Sequence, residues 1–144
     1  ISSDTIKIED IQEHIGIHRD YNNFELQNAL AQKNKKKIIS IVNHFSNNPN
    51  KFPLPLTIGV LFSFFSKLLI IHSFDNNSKD YIAKQIKVHP FFVSSYQSGC
   101  ANYSFEECIQ IVSLLKEYDL RFKGMGGGSS DDILKDLILN IIYK

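Results

Sequence analysis

At 144 residues, with 43% hydrophobic and 12% aromatic side chains, the chain carries enough apolar surface for one domain with a buried core. Sixteen basic residues against fifteen acidic ones leave a formal charge of +1, so the chain as a whole lacks the electrostatic footprint of a nucleic-acid binder. Only Arg19 and Arg121 are arginines, the residue best suited to bidentate contact with guanine edges or phosphate, which argues against sequence-specific DNA reading.

The chain opens at Ile1 with no Met, no basic leader and no short apolar stretch behind it. No signal peptide is expected, and the abrupt start reads as a piece of a longer protein. After Asp4 and Thr5, Ile8, Ile11 and Ile15 recur at helical spacing and stop at Gly16, which predicts a short helix, with 17–22 as a linker. Asn22 or Asn23 can cap the next helix, in which Leu26, Ala29 and Leu30 share a face. Lys35 to Ser46 follows, with Ile38, Ile41, Val42 and Phe45 as its apolar stripe and Asn47-Asn48-Pro49 as its stop.

Pro53 and Pro55 lead into a long apolar stretch from Leu56 to Phe74. A membrane span needs roughly 20 predominantly apolar residues, and this stretch contains Lys67, His72 and three serines. The expectation is a central helix buried nearly all round by its neighbours. Asp75 to Ser78 makes a turn, and a short helix from about Lys79 to Lys87 buries Ile82 and Ile86. Pro90 sits where a helix can start, His89 before it is placed to cap or pack, and Phe92, Tyr96 and Cys100 are expected on one side.

Ser104 and Glu107 have the spacing of a capping box, a specific helix-start signal. The helix they open carries Cys108, Ile111, Val112, Leu115, Tyr118 and Phe122 as one stripe, and Asp119 can pair with Lys123 one turn on. Gly124 to Ser129 reads as a flexible connector, and Ser130 with Asp131 and Asp132 starts a last helix that buries Leu134, Leu137, Ile138 and Ile141. The fold class expected is all-α, a bundle of about seven helices.

Chemistry is scarce in this pattern. Cys100 and Cys108 are too few for a disulfide scaffold and wrongly spaced for zinc, so they are expected as reduced core thiols of a cytosolic protein. The glycine-rich segment is not followed by Lys-Ser or Lys-Thr, and Asp131 and Asp132 would repel a phosphate there. His14, His18, His44, His72 and His89 fall on different elements without a metal-binding spacing. One basic run stands out, Lys33 with Lys35, Lys36 and Lys37. It is a candidate contact for a phosphate backbone or an acidic partner, and otherwise a solvated helix connection.

Three features arrive in a characteristic order. They are Phe24-Glu25-Leu26 opening a helix, His89-Pro90-Phe91, and the helix from Ser104-Phe105 to the Asp119–Lys123 pair. In this order the chain resembles the delta subunit of the bacterial DNA polymerase III clamp loader. The resemblance implies that residues 1–21 are the end of the AAA+ lid domain and its linker, with Ile8-Glu9-Asp10-Ile11 in its last helix. Residues 22–144 would then form the C-terminal helical collar domain. The segment from Gly124 to Gly128 is longer and looser than the family pattern.

The resemblance further implies a non-catalytic, cytoplasmic member of a nucleotidyltransferase complex, with no cofactor. Its partners would be the other loader subunits, of motor and delta-prime type, met through the collar. The sliding clamp would be reached only through an N-terminal domain that these residues do not include, DNA only indirectly, and a membrane not at all. Two rival readings stand beside it. One is a helical nucleic-acid-binding module using Lys33 and Lys35 to Lys37. The other is a small helical enzyme, which would need a cleft gathering His and acidic groups with shifted pKa values.

Overall fold

Several helix starts in this chain are set by short polar side chains. The computed structural model describes residues 21–124 and 130–143, and among them every regular element is helical. Helix α1 (Asn23–Ala31) begins where the Asn22 side chain accepts the Glu25 N–H at 2.9 Å. Helix α2 (Lys35–Ser46) is capped in the same way by Asn34, which accepts the Lys37 N–H at 3.2 Å. Lys33, between the two, adopts a φ of 54°, a left-handed conformation that closes the hairpin without a glycine.

Helix α3 (Leu54–His72) enters through extended Pro53 with Pro55 in its first turn. Helix α4 (Lys79–Ile86) starts at a Ser78 cap and ends at Lys87 in the left-handed region. His89 caps through Nδ1, which accepts the Phe91 N–H at 3.0 Å, and a 3-10 turn (Pro90–Phe92) feeds helix α5 (Val93–Asn102). Helix α6 (Phe105–Gly124) opens on the capping box. There Ser104 N–H donates to Glu107 Oε1 at 2.8 Å, and Glu107 N–H donates to Ser104 Oγ at 3.1 Å. Helix α7 (Ser130–Ile142) completes the bundle.

The apolar stripes read from spacing are the ones that pack. Leu26, Ala29 and Leu30 of α1, Ile38, Ile41, Val42 and Phe45 of α2, and Leu134, Leu137, Ile138 and Ile141 of α7 are all buried in one cluster. That cluster draws buried residues from all seven α-helices. Helix α6 contributes Cys108, Ile111, Leu115 and Tyr118, with Val112 and Phe122 half-buried at the margin. Asp119 and Lys123 pair at 2.8 Å on its outside.

Tyr103, at the junction of α5 and α6, ties distant chain segments together. Its hydroxyl donates to the Leu30 carbonyl at 2.6 Å, and Asn102 Nδ2 donates to the Ala31 carbonyl at 2.8 Å. The Ala31 carbonyl at the end of α1 thereby gains a partner, and the Leu30 carbonyl, which also accepts the Lys33 N–H, gains a second one. On its other side Tyr103 offers its backbone carbonyl to His72 Nε2 at 2.8 Å. The α1 end, the α3 end and the α6 start therefore meet at one point.

Three expectations need correction. Helix α3 spans Leu54–His72, with Ser73 and Phe74 beyond its end, and it is not buried all round. Its neighbours α1, α4, α5 and α6 cover the side carrying Leu54, Thr57, Ile58, Leu61, Phe64, Phe65, Leu68 and Ile71. Leu56, Phe62 and Ile70 face outward. By length and composition alone α3 could cross a membrane; in this fold it is the central helix of the bundle.

The third correction concerns α5, where Tyr96 is buried together with Val93 and Gly99, while Phe92 and Cys100 pack against the same core only half-buried. Gly99 allows a close approach here, since a Cβ there would lie 2.9 Å from Leu68 Cδ1 and 3.0 Å from Phe64 Cζ, so these side chains would have to shift. The expected N-terminal helix with Ile8, Ile11 and Ile15, the linker up to Asp20, His14 and His18, and the connector from Met125 to Ser129 lie outside the described residues.

Candidate functional site

The described histidines are each engaged in structural contacts. His44 sits among the rings of Tyr21, Phe45 and Phe52, His72 is held by the Tyr103 carbonyl, and His89 serves as a cap. No group of three or more His, Cys, Asp or Glu comes together among the described residues. The nearest approach to a reactive pair is a cleft of about 390 Å³ lined by His72, Asn77, Gln97 and Cys100. Its thiol is the opposite of a nucleophile: burial pushes Cys100 up to about 11, and its Sγ points at the Leu68 carbonyl at 3.8 Å. Cys108, fully buried, is pushed up to about 12 by burial and then by Cys100 and Glu107, and both cysteines are free thiols.

The lysine run is split by the fold. Lys33 lies 4.7 Å from the centre of the Tyr103 ring, and its charge helps hold the Glu107 carboxyl low. Lys35 lies 4.7 Å from the centre of the Tyr143 ring on α7. At 100° per residue Lys37 leaves α2 about 160° away from Lys35, on the opposite flank, with Lys36 between them on the outer side. The four side chains therefore do not converge on one ligand. The first turn of α2 contains no acidic residue, so these positive charges sit against the positive end of the helix dipole.

A larger surface feature is apolar. On α3, Leu56, Phe62 and Ile70 are exposed, Leu56 by 57%, and Gly59 and Ser63 between them are also exposed. On α6, Phe105, Ile109 and Leu120 are exposed, Leu120 by 62%. The last three fall within about 60° of helix surface, a second apolar stripe distinct from the Cys108–Ile111–Leu115–Tyr118 core stripe. Helices α3 and α6 are the most extensively packed pair in the bundle and run antiparallel, with His72 against the edge of Phe105. Each of these two packed helices therefore leaves large apolar side chains uncovered, and together these exposed residues are termed the wall of α3 and α6.

Sequence reasoning did not identify this wall. Its signal was present on α6, where Phe105, Ile109 and Leu120 repeat at helical spacing off the core stripe. On α3 the signal was hidden, because an apolar helix shows the same composition on its covered and uncovered sides.

The model of the family described as "DNA polymerase III delta subunit, C-terminal domain" matches residues 20–141. Among solved structures, the chain is similar to the Bacillus subtilis DNA clamp loader delta protein, with a TM-score of 0.72 at 20% identity. That match covers 96% of this chain but 41% of the other, so the chain spans less than half the length of that relative. No curated protein matches the sequence. With the family model matched over most of its length, the chain belongs to the DNA polymerase III delta subunit, C-terminal domain, family.

Proposed function

We propose that this chain is the non-catalytic C-terminal part of a clamp-loader delta subunit. It assembles with the other loader subunits, of motor and delta-prime type, and thereby supports the loading of the sliding clamp during DNA replication. Residues 22–144 are the collar domain, and residues 1–21 are the end of the AAA+ lid and its linker. Contact with the sliding clamp belongs to a domain beyond these residues, contact with DNA is indirect, and the subunit works in the cytoplasm without a cofactor of its own.

The observation that carries this reading is the wall of α3 and α6. Leu56, Phe62, Ile70, Phe105, Ile109 and Leu120 are large side chains left exposed on two adjoining helices. Large apolar side chains left exposed on two packed helices are the kind of surface that interaction sites use, and aromatic anchors such as Phe62 and Phe105 suit the centre of an interface. The nucleic-acid reading is weaker, because its lysines point to different sides of α2 and two of them are already placed over tyrosine rings.

Capture of the purified motor and delta-prime subunits by the tagged chain tests the proposal. A double-stranded DNA control at two salt concentrations runs beside it. The expected result is capture of the subunits with negligible DNA retention. Phe62→Asp or Leu120→Glu should abolish capture while leaving the helical circular dichroism signal and the unfolding midpoint intact. Salt-dependent DNA binding without subunit capture, or capture indifferent to both substitutions, would overturn it.

A further inference from the structure

A second exposed patch lies away from the wall, where α2 and α7 pack side by side. Lys35 over Tyr143 brings the start of α2 to the end of α7, so the two helices run antiparallel. One turn inward from that contact on each helix lie Ile39 on α2 and Leu139 on α7, both exposed. Tyr143 is exposed by 64%. The corner is thus an apolar cluster of Ile39, Leu139 and Tyr143, flanked on the α2 side by Lys35 and Lys36.

The charges at this corner are poorly served by the fold. Lys36 has no ion-pair or hydrogen-bond partner among the described residues, and Lys35 has only a ring beneath it. Both oppose the dipole of α2, whose first turn offers no carboxylate. Asp136, the exposed acid on the α7 side, accepts the Tyr118 hydroxyl and so is turned toward α6. A carboxylate arriving from outside would relieve the repulsion at the α2 start.

We propose that this corner docks an acidic amphipathic helix of a partner protein. Its apolar face covers Ile39, Leu139 and Tyr143, and its flanking Glu or Asp side chains meet Lys35 and Lys36. The patch fits a nucleic acid poorly: Ile39 and Leu139 offer nothing to phosphate, and the one exposed aromatic already has Lys35 over its ring. Charge complementarity around an apolar centre is the pattern by which helix-in-groove partners are chosen. This inference does not depend on the α3–α6 wall.

The test is amide chemical-shift mapping and fluorescence titration of the full chain. The probe is a synthetic helical peptide of about 18 residues with leucines on one face and glutamates on both flanks. The same peptide with lysines for glutamates and a single-stranded oligonucleotide serve as controls. The expected outcome is shift changes confined to the α2 start and the α7 end, with affinity that weakens as salt rises. Lys35→Glu with Lys36→Glu should weaken binding about tenfold, and Leu139→Ser by a similar factor.

Each protein variant is checked for an unchanged unfolding midpoint, which these exposed positions should preserve. Four results would overturn the proposal. They are no binding of the acidic peptide, equal binding of the lysine peptide, preferential binding of the oligonucleotide, and shifts confined to the wall on α3 and α6. Self-association of the chain that buries the corner and blocks the peptide would reassign the patch to a second copy.

Discussion

Tyr103 shows how much of this fold hangs on single side chains. It is almost fully buried, and its hydroxyl donates to the Leu30 carbonyl across a sequence separation of 73 residues. Tyr103→Phe keeps the ring and loses that bond, and should cost about 1 kcal/mol in urea unfolding, because the Leu30 carbonyl still accepts the Lys33 N–H. Tyr103→Ala should cost about 3–5 kcal/mol, as a large core side chain is replaced by a cavity. The thiols make a second prediction. Burial raises Cys100 to about 11 and Cys108 to about 12, from 9.0. Above about pH 9 the unfolded chain sheds these protons while the folded chain keeps them, so stability falls as pH rises. Urea midpoints should hold from neutral pH to about pH 9 and drop toward pH 12, with buried Tyr96 and Tyr103 acting in the same direction. A midpoint that held at alkaline pH would show that these groups are open to water.

Helix ends are the next scale, and the capping box of α6 is the clearest case. The backbone and side-chain hydrogen bonds with Ser104 draw the Glu107 carboxyl below the usual range, and Lys33 adds to this. Its contribution is present above the ordinary carboxylate pKa and is lost as pH falls through the lowered one. Ser104→Ala should destabilise the protein by about 1 kcal/mol, read as a shift in the urea midpoint. Ser104→Asp, which can also cap, should restore most of the loss. The caps of α1 and α6, the stop of α2 and the core stripes of α1, α2, α4, α6 and α7 were legible in the sequence because each depends on residues a few positions apart. The readings adjusted on α3 and α5 are those where packing of neighbours sets the answer: α3 is covered only on the side its neighbours reach, and Gly99 of α5 lies against Leu68 and Phe64.

One core runs through all seven helices, so the molecule should melt as a unit. Under the proposed division of the chain, removing residues 1–20 should leave a single cooperative transition at an unchanged midpoint, with near- and far-ultraviolet circular dichroism coinciding. Two separated transitions in the truncated chain, or a large fall in its midpoint, would place those residues inside the collar unit. The wall of α3 and α6 belongs to this scale too. Both helices contribute to it, because each packs one face into the core and leaves large apolar side chains on another face uncovered.

Local spacing by itself determined the class of fold, the helix starts at Asn22, Ser78 and Ser104, and the apolar stripe of most helices. These follow from forces that act within one or two turns of chain. The tertiary structure alone decided that the lysine run is divided between the Tyr103 and Tyr143 rings, that Gly99 lies against Leu68 and Phe64, and that Leu56, Phe62 and Leu120 are left exposed. The reason is physical: an apolar residue bound for a core and one bound for a partner have the same transfer free energy. Only the arrangement of neighbouring helices determines which of them stays in contact with water.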